Sequence, residues 1–231
     1  MNAHSKTTTE LFYLELGIYP LKYHLSKRRF MYLWHILHTD KSEFIRKVYD
    51  SQKFKTIKGY WVKIIEVKKV NFDIQLSDDE VVTMPRGRFE NMIKKKIRTH
   101  STQQLKNVGL THSKSICIAN QKFGKKSYLS DRRMSKEDIQ LLFKLRTRMV
   151  DCKSNFEGQY REDMSCRACK VIGSVEDEDH ILSCLVLKLD SHDIKFRDVY
   201  GSMDQQYKAT QVFKKILRRR KVYLDVTYPS S

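Results

Sequence analysis

Three cysteines and one histidine in the C-terminal part of the chain have the residue types and the spacing of metal ligands. They are Cys166, Cys169, His180 and Cys184, and they span 19 residues of a chain that has five cysteines in all. Two residues separate Cys166 from Cys169, so one tight turn can aim both sulfurs at a single ion. His180 and Cys184 are four residues apart, which places them on one face of a helix. Three thiolates and an imidazole are the donors that a closed tetrahedral zinc site requires.

These four side chains predict one structural zinc ion. The ten residues between Cys169 and His180 include Gly173 and Ser174, which bend easily and can close the loop. Two other interpretations stay open, a buried Cys-x-x-Cys pair beside an uninvolved histidine and a redox dithiol. The second is disfavoured because no βαβ pattern surrounds the pair. We expect the other two cysteines, Cys117 and Cys152, to be small buried thiols.

The chain carries a large and unevenly distributed positive charge. Its 231 residues include 45 Lys and Arg against 27 Asp and Glu, a formal net charge of +18. Residues 1–150 hold 31 basic and 14 acidic side chains, residues 151–184 hold 4 and 8, and residues 185–231 hold 10 and 5. Such a surplus favours an anionic partner, and nucleic acid is the commonest one. We therefore expect RNA, DNA or both as partners, held by the basic regions on either side of an acidic metal module.

The sequence offers no signal for a membrane or for secretion. No apolar run approaches the roughly 18 residues of a membrane span. The first six residues lack the apolar region of a secretory signal. An odd number of cysteines also argues against a secreted disulfide framework. The expected location is intracellular, either nuclear or cytoplasmic, with no membrane partner.

The pattern of helix signals predicts a mainly α-helical protein. With three prolines and eight glycines, the chain has few residues that interrupt helices. Capping boxes that start at Thr7, Ser77 and Ser135 predict three helix beginnings. Residues 60–76 are ambiguous, because their first half suits either state and their second half alternates as a strand would.

Composition divides the chain into three parts. Residues 1–108 form a basic helical region, and residues 109–134 are polar and irregular, which favours a loop or hinge. Residues 135–231 contain an amphipathic helix, the Cys-Cys-His-Cys module and a basic C-terminal helix.

Three basic clusters are candidate contacts to phosphate groups. A helix rich in Lys and Arg can follow a nucleic-acid backbone, and aromatic rings beside it can stack on bases. The alternative for each cluster is a solvated helix face, and basic residues at a helix end also complement its dipole. The candidate residues are Lys27, Arg28, Arg29, Arg146, Arg148, Arg218, Arg219, Arg220 and Lys221.

Three segments together resemble the C-terminal region of reverse transcriptases from non-LTR (LINE-type, jockey-like) retrotransposons. Residues Glu15–Leu37 are similar to the segment that follows the polymerase core of these enzymes. Residues Leu141–Met149, with Asn155 and Phe156, look like the segment before their C-terminal zinc knuckle. The cysteines and the sequence Glu-Asp-His-Ile-Leu at 178–182 resemble that knuckle itself. The likeness covers roughly residues 10 to 220.

The resemblance implies a thumb-like helical bundle, a small zinc-stabilised module and a C-terminal helix that together bind RNA and target DNA. Such a region would work beside the catalytic part of a reverse transcriptase. The Tyr-x-Asp-Asp box that holds the polymerase's metal ions is absent from the chain, since Asp78-Asp79 follows Ser77 within a capping box. Asp50, Glu66 and Lys68 copy the spacing of restriction-like nucleases, but Asp50 lies in a predicted helix and no Pro-Asp pair precedes it.

The sequence therefore predicts a protein without catalytic activity, which binds RNA or an RNA–DNA template mainly through phosphates. Two alternatives are a zinc-stabilised protein-interaction domain and an inert retrotransposon-derived fragment. In the first, the positive charge serves only to keep the domain soluble.

Overall fold

Helices make up most of the protein, as the sequence predicts. The computed structural model describes residues 9–53, 61–111, 116–156, 158–160, 163–189 and 193–227. Within these ranges the backbone forms α1 (Thr9–Leu16), α2 (Leu21–His38), α3 (Phe44–Lys53), α4 (Trp61–Asn71), α5 (Asp78–Thr83), α6 (Arg86–Leu110), α7 (Ile116–Ala119), α8 (Lys136–Arg146), α9 (Glu178–Ser183) and α10 (Met203–Thr227). In the same ranges the only extended pairing is an isolated antiparallel bridge between Ser165 and Val175. None of these helices is long and apolar enough to cross a membrane.

Two of the three predicted capping boxes are present. The hydroxyl of Ser77 accepts a hydrogen bond from the Glu80 N–H, and the Glu80 carboxylate accepts one from the Ser77 N–H. Ser135 and Asp138 make the same reciprocal pair at the start of α8. Both boxes satisfy backbone N–H groups that a helix start leaves unpaired. The third box, at Thr7, lies outside the described residues.

The chain divides into two compact units. Residues 18–107 form one, here called the central unit, and residues 1–17 with 108–231 form the other, here called the terminal unit. The predicted first region, residues 1–108, differs from the central unit because helix α1 belongs to the terminal unit. Part of the predicted hinge, residues 109–134, is also helical and packed, since Ile118, Ala119 and Tyr128 are buried.

In the central unit, α2 and α6 pack side by side in opposite directions. Tyr19 Oη lies 3.4 Å from Thr102 Oγ1, and further along α2 the Lys27 ammonium lies 2.6 Å from the Glu90 carboxylate. The buried apolar residues of this unit come from α2 to α6 and include Phe30, Leu33, Ile65, Val81, Phe89 and Ile93. The long antiparallel pair therefore forms the frame on which the shorter helices pack.

The ambiguous segment 60–76 is helical in its first half. Helix α4 ends at Asn71, and Asp73 adopts a left-handed conformation with φ of 53°. Phe72 and Ile74 on either side of this turn are both buried. The apolar alternation that resembles a strand arises because the chain reverses at Asp73 and turns both flanking side chains into the core.

In the terminal unit, α8 packs against α10 and the 3₁₀ turn Phe196–Tyr200. Leu142 and Leu145 of α8 and Phe213 and Ile216 of α10 are almost completely buried in one core. The Lys214 ammonium lies 2.7 Å from the Asp138 carboxylate, so the carboxylate that completes the capping box of α8 also binds α10. The metal module lies between these two helices in the sequence and shares their core.

A buried ion pair connects α1 to α8. The guanidinium of Arg146 binds both carboxylate oxygens of Glu15, and the side chains are 1 % and 0 % exposed. The remaining N–H groups donate to Val199 O at 2.7 Å and to Gln121 Oε1 at 2.6 Å. The Tyr128 hydroxyl donates to the same Glu15 carboxylate at 2.7 Å. A buried charge is stable only when it is paired and hydrogen-bonded in this way.

Replacing Arg146 with Met should therefore lower the free energy of unfolding by about 3–5 kcal/mol, because Glu15 would be left buried without its partner. Urea denaturation followed by circular dichroism measures the loss. Adding Glu15→Leu to Arg146→Met should restore a large part of it, since the double variant buries no unpaired charge. Lys63→Ala, which breaks a surface ion pair with Glu66, is the control. A loss from Arg146→Met no larger than that of the control would contradict the prediction.

Candidate metal centre

A short hairpin presents the first two cysteines. The bridge between Ser165 and Val175 is extended by a hydrogen bond of 3.0 Å from the Cys166 N–H to Ser174 O. The chain must turn back within the seven residues between Cys166 and Ser174, so Cys166 lies at the start of the bend and Cys169 lies within it. The local sequence thus forms the tight turn that the Cys-x-x-Cys spacing predicts.

Two left-handed residues close this turn. Lys170 has φ of 53° and Gly173 has φ of 82°. The Lys170 N–H donates to Cys166 O at 2.9 Å, which closes a turn around Cys169. Glycine adopts a positive φ without strain, so Gly173 provides the bend that the sequence analysis predicts for this loop.

Helix α9 supplies the other two ligands. The Asp177 carboxylate caps it by accepting a hydrogen bond of 2.7 Å from the His180 N–H. Cys184 follows the last helical residue, Ser183, and is the C-cap. A spacing of four residues across this short helix therefore places the imidazole and the thiol beside the two hairpin cysteines.

The four donor atoms have the separations of a tetrahedral metal site. All four lie within 4.8 Å of one another. The sulfurs of Cys166 and Cys184 are 4.0 Å apart, and the sulfur of Cys169 is 3.4 Å from His180 Nε2. Bonds of about 2.3 Å to sulfur and about 2.05 Å to nitrogen give tetrahedral edges of about 3.8 Å and about 3.6 Å. The predicted cluster is thus confirmed as a group that could hold a metal ion.

The surroundings of the cluster favour a thiolate at one position. Although burial by itself raises the pKa of the Cys169 thiol, hydrogen bonds from the Val171 N–H, Ser174 and His180 lower that pKa to about 6. Burial raises the pKa of the Cys166 thiol to about 11. A thiolate is the form of cysteine that binds metal. Cys166 and Cys184 are each 1 % exposed, so the site is closed on one side by the protein core.

A buried carboxylate connects the metal hairpin to α10. Glu176 accepts hydrogen bonds from the Arg167 N–H at 2.7 Å and from the Arg167 and Arg220 guanidinium groups at 2.6 Å. Burial raises the pKa of the Glu176 carboxyl, but these hydrogen bonds and charges outweigh it and lower the pKa. Because Arg167 lies between Cys166 and Cys169, Glu176 holds the turn in place.

Sequence reasoning missed Glu176, although a signal was present. Residues 151–184 have an acidic surplus between two basic regions, and the sequence analysis assigns that surplus to the metal module as a whole. Two of its members, Glu176 and Glu178, are buried and bind arginines. Acidic residues beside a metal loop, followed by an arginine-rich helix, are a pattern from which such pairing can be inferred.

Three of the nine candidate phosphate contacts are engaged inside the terminal unit. Arg146 binds Glu15, Arg220 binds Glu176, and Arg148 lies 2.5 Å from Glu178. Arg146 and Arg220 are buried and are therefore withdrawn from the set of surface contacts, because leaving their carboxylates would expose unpaired buried charges.

The other six candidates lie on two helices, three in the first half of α2 and three in the second half of α10. On α2, Arg28 is exposed, Arg29 is half-buried and Lys27 pairs with Glu90. On α10, the exposed candidates are Arg218, Arg219 and Lys221.

The two acidic residues of the nuclease-like spacing each form an ion pair with a residue of the same helix. Asp50 pairs with Arg46, and Glu66 pairs with Lys63. Of the remaining cysteines, Cys152 is buried as predicted, whereas Cys117 is exposed.

A comparison with known protein families, with curated proteins and with solved structures finds no match.

Removing one ligand should abolish stoichiometric metal binding. Wild-type protein saturated with Zn²⁺ and passed through a desalting column should retain one ion per chain, measured by inductively coupled plasma mass spectrometry. Cys184→Ser should retain much less, because three donors no longer close the tetrahedron. Cys117→Ser is the matched control and should retain the ion. A Cys184→Ser protein that still holds one ion per chain would show that the ligand assignment is wrong.

Glu176→Gln should weaken metal binding without removing a ligand. Residues that orient ligands typically contribute about 10–100-fold in metal affinity, and the neutral amide can no longer hold both arginines. Competition with a chromophoric chelator measures the affinity. Asp179→Asn removes the same charge from an exposed residue of α9 and should change the affinity little. Equal effects of the two variants would exclude a positioning role for Glu176.

Proposed function

We propose that this protein is a non-catalytic nucleic-acid-binding module organised by one structural zinc ion. It would bind RNA or an RNA–DNA template mainly through phosphates, as the C-terminal region of a LINE-type reverse transcriptase does. The catalytic part of such an enzyme is then a natural partner, and the nucleus or the cytoplasm is the compartment. The polymerase chemistry would come from that partner.

Zinc is the metal that this donor set favours. Soft thiolates select zinc over magnesium or calcium, and three thiolates with one imidazole leave no open position for a substrate. Cys166, Cys169, His180 and Cys184 would hold the ion, and the ion would stabilise the fold of a segment that has few apolar residues of its own. A closed site of this kind supports a structural role.

The observation that carries the proposal is where the acidic residues lie. Glu15, Asp138, Glu176 and Glu178 are all buried and bind internal cations. Each of them offsets at least one cation inside the protein, so these groups together are close to neutral and the formal charge of +18 is carried by the rest of the chain. Exposed cations release counterions when they meet phosphates, and this release is the main driving force of nonspecific nucleic-acid binding.

The absence of catalysis is part of the proposal. The chain has no Tyr-x-Asp-Asp sequence. Its Asp-Asp pair, Asp78-Asp79, lies at the start of α5. There the Asp78 carboxylate accepts a hydrogen bond of 2.8 Å from the Tyr49 hydroxyl and pairs with Lys53. Asp78 therefore connects α3 to α5, which is a structural role.

A second candidate function is protein interaction through the metal module. Val171 and Ile172 in the hairpin are 52 % and 99 % exposed, and Leu185 just after the last ligand is 75 % exposed. Adjacent exposed apolar side chains, such as Val171 and Ile172, can form a patch that binds a partner, whereas apolar side chains exposed singly are ordinary. In this case the positive charge would keep the domain soluble.

Nucleic-acid binding should depend steeply on salt. Fluorescence anisotropy with labelled structured RNA and with duplex DNA measures affinity at several salt concentrations, with zinc and after chelation. About six phosphate contacts would lower affinity on the order of a thousandfold between about 50 and 200 mM salt. Chelation should weaken binding, because the metal would join the hairpin to α9.

Replacing Arg218, Arg219 and Lys221 with Gln should reduce the salt slope by about 3, since each phosphate contact contributes about 1. The control replaces three exposed lysines of the same unit, Lys122, Lys125 and Lys136. If the two variants reduce the slope equally, the basic cluster of α10 is not a specific contact. If the wild-type protein binds neither nucleic acid in the presence of zinc, the proposed function is wrong, and an interaction domain or an inert fragment remains.

A further inference from the structure

An open hollow of about 320 Å³ lies between α2, α4 and α6 of the central unit. Tyr23 and Phe72 form its apolar floor, and both are buried. Lys22 from α2 and Lys68 from α4 line its walls, and His100 contributes from α6. The hollow is therefore a polar recess on an aromatic base, and it involves none of the nine cations that the sequence analysis selects.

The two lysines of this hollow lie beside aromatic rings rather than beside carboxylates of the described residues. The Lys22 ammonium lies 5.1 Å from the centre of the Tyr23 ring, and the Lys68 ammonium lies 5.8 Å from that of Phe72. Among the residues that the structure describes, no carboxylate lies within 4 Å of either nitrogen. Other lysines of the unit do have such partners, as Lys27 has Glu90 and Lys96 has Asp73. Two unpaired cations that line one recess create a local positive potential.

His100 responds to this potential. Its ring packs edge-on against Phe72, with ring centres 5.0 Å apart. Burial, together with the charges of Lys22 and Lys68, lowers the pKa of His100. The ring is therefore mainly neutral at pH 7, and it can donate or accept one hydrogen bond without adding charge.

The rim adds neutral hydrogen-bonding groups. Asn71 and Gln104 line the hollow and are both exposed. Two ammonium groups, two side-chain amides and an imidazole suit an anion with several acceptor oxygens, and a phosphate has that chemistry. The volume accommodates a phosphate together with part of an attached sugar.

We propose that this hollow binds a phosphate diester of a nucleic-acid backbone, with Lys22 and Lys68 as its cationic contacts. The inference rests on the proposed nucleic-acid-binding function and locates one contact in the central unit. His100 and the rim amides donate hydrogen bonds to phosphate and sugar oxygens.

A second hollow continues the basic surface on the other side of Tyr23. It has a volume of about 230 Å³, and its lining includes Tyr23, Lys27, Lys94 and Arg98 from α2 and α6. The two hollows share Tyr23 at the seam between the helices. A backbone that leaves the first hollow across this seam approaches Lys94 and Arg98.

The test compares two pairs of lysine substitutions in the full-length, zinc-loaded protein. Lys22→Gln with Lys68→Gln removes the cations of the hollow. Lys41→Gln with Lys47→Gln is the matched control, because it removes the same charge from exposed residues of the central unit. Affinity for structured RNA and for duplex DNA is measured by anisotropy across a salt series, and thermal unfolding verifies that each variant is folded.

The hollow variant should reduce the magnitude of the salt slope by about 2, and the affinity lost between about 50 and 200 mM salt should then be on the order of tenfold smaller. The control variant should change the slope by much less. Equal changes in the two variants would overturn the assignment of the hollow and leave the proposed function intact. No binding by the wild-type protein would overturn both.

A second readout follows His100 by NMR. Nucleic acid bound in the hollow should raise the pKa of His100, because the phosphate charge offsets those of Lys22 and Lys68. Inorganic phosphate at the same phosphate concentration should raise it much less, since a nucleic acid is also held by contacts elsewhere on the surface. An equal response to inorganic phosphate would identify a site for free phosphate and overturn the backbone assignment. An unchanged pKa with nucleic acid bound would exclude the hollow.

Discussion

The guanidinium of Arg146 lies buried between the rings of Tyr128 and Tyr200, with its central carbon 5.4 and 4.9 Å from their centres. It is stable there because Glu15 supplies the opposite charge and Gln121 accepts a further hydrogen bond. Glu15, Gln121 and Tyr200 lie 131, 25 and 54 residues from Arg146 in the sequence, so one charged group connects several distant segments. The terminal unit can bury this charge only when all of these segments are in place, and its assembly is therefore cooperative.

The metal module is also held together by a buried carboxylate that pairs with arginines. The hairpin is too short and too polar to build a core, and its apolar residues Val171 and Ile172 point to solvent. Its geometry depends instead on Glu176, which binds one arginine of the hairpin and one of α10. The four metal-binding side chains add to the contacts by which Glu176 fixes the hairpin. In the hairpin, the Glu176 ion pairs and the metal-binding side chains take the place of an apolar core. Their contacts are directional, so they also determine where the metal-binding atoms point.

This use of charge inside the protein has a consequence for its surface. Carboxylates that neutralise buried arginines are withdrawn from the exterior, whereas cations such as Arg28 and Arg218 remain exposed. The lysines of the α2–α4–α6 hollow remain unpaired by the carboxylates that the structure describes. The buried charges are therefore nearly balanced, and the excess of cations lies outside. An anionic polymer is the partner that such a surface favours most.

Local features of this protein are readable in its sequence, and distant ones are not. The capping boxes at Ser77 and Ser135, the turn at Cys166 and the helical spacing of His180 and Cys184 each involve residues at most four apart, so backbone geometry alone specifies them. The role of Arg146 could not be predicted, because its partner Glu15 lies 131 residues away and no spacing rule connects them. On a predicted helix, a buried arginine and an exposed one look the same. Only tertiary packing decides which cations meet a carboxylate and which remain free to meet a ligand.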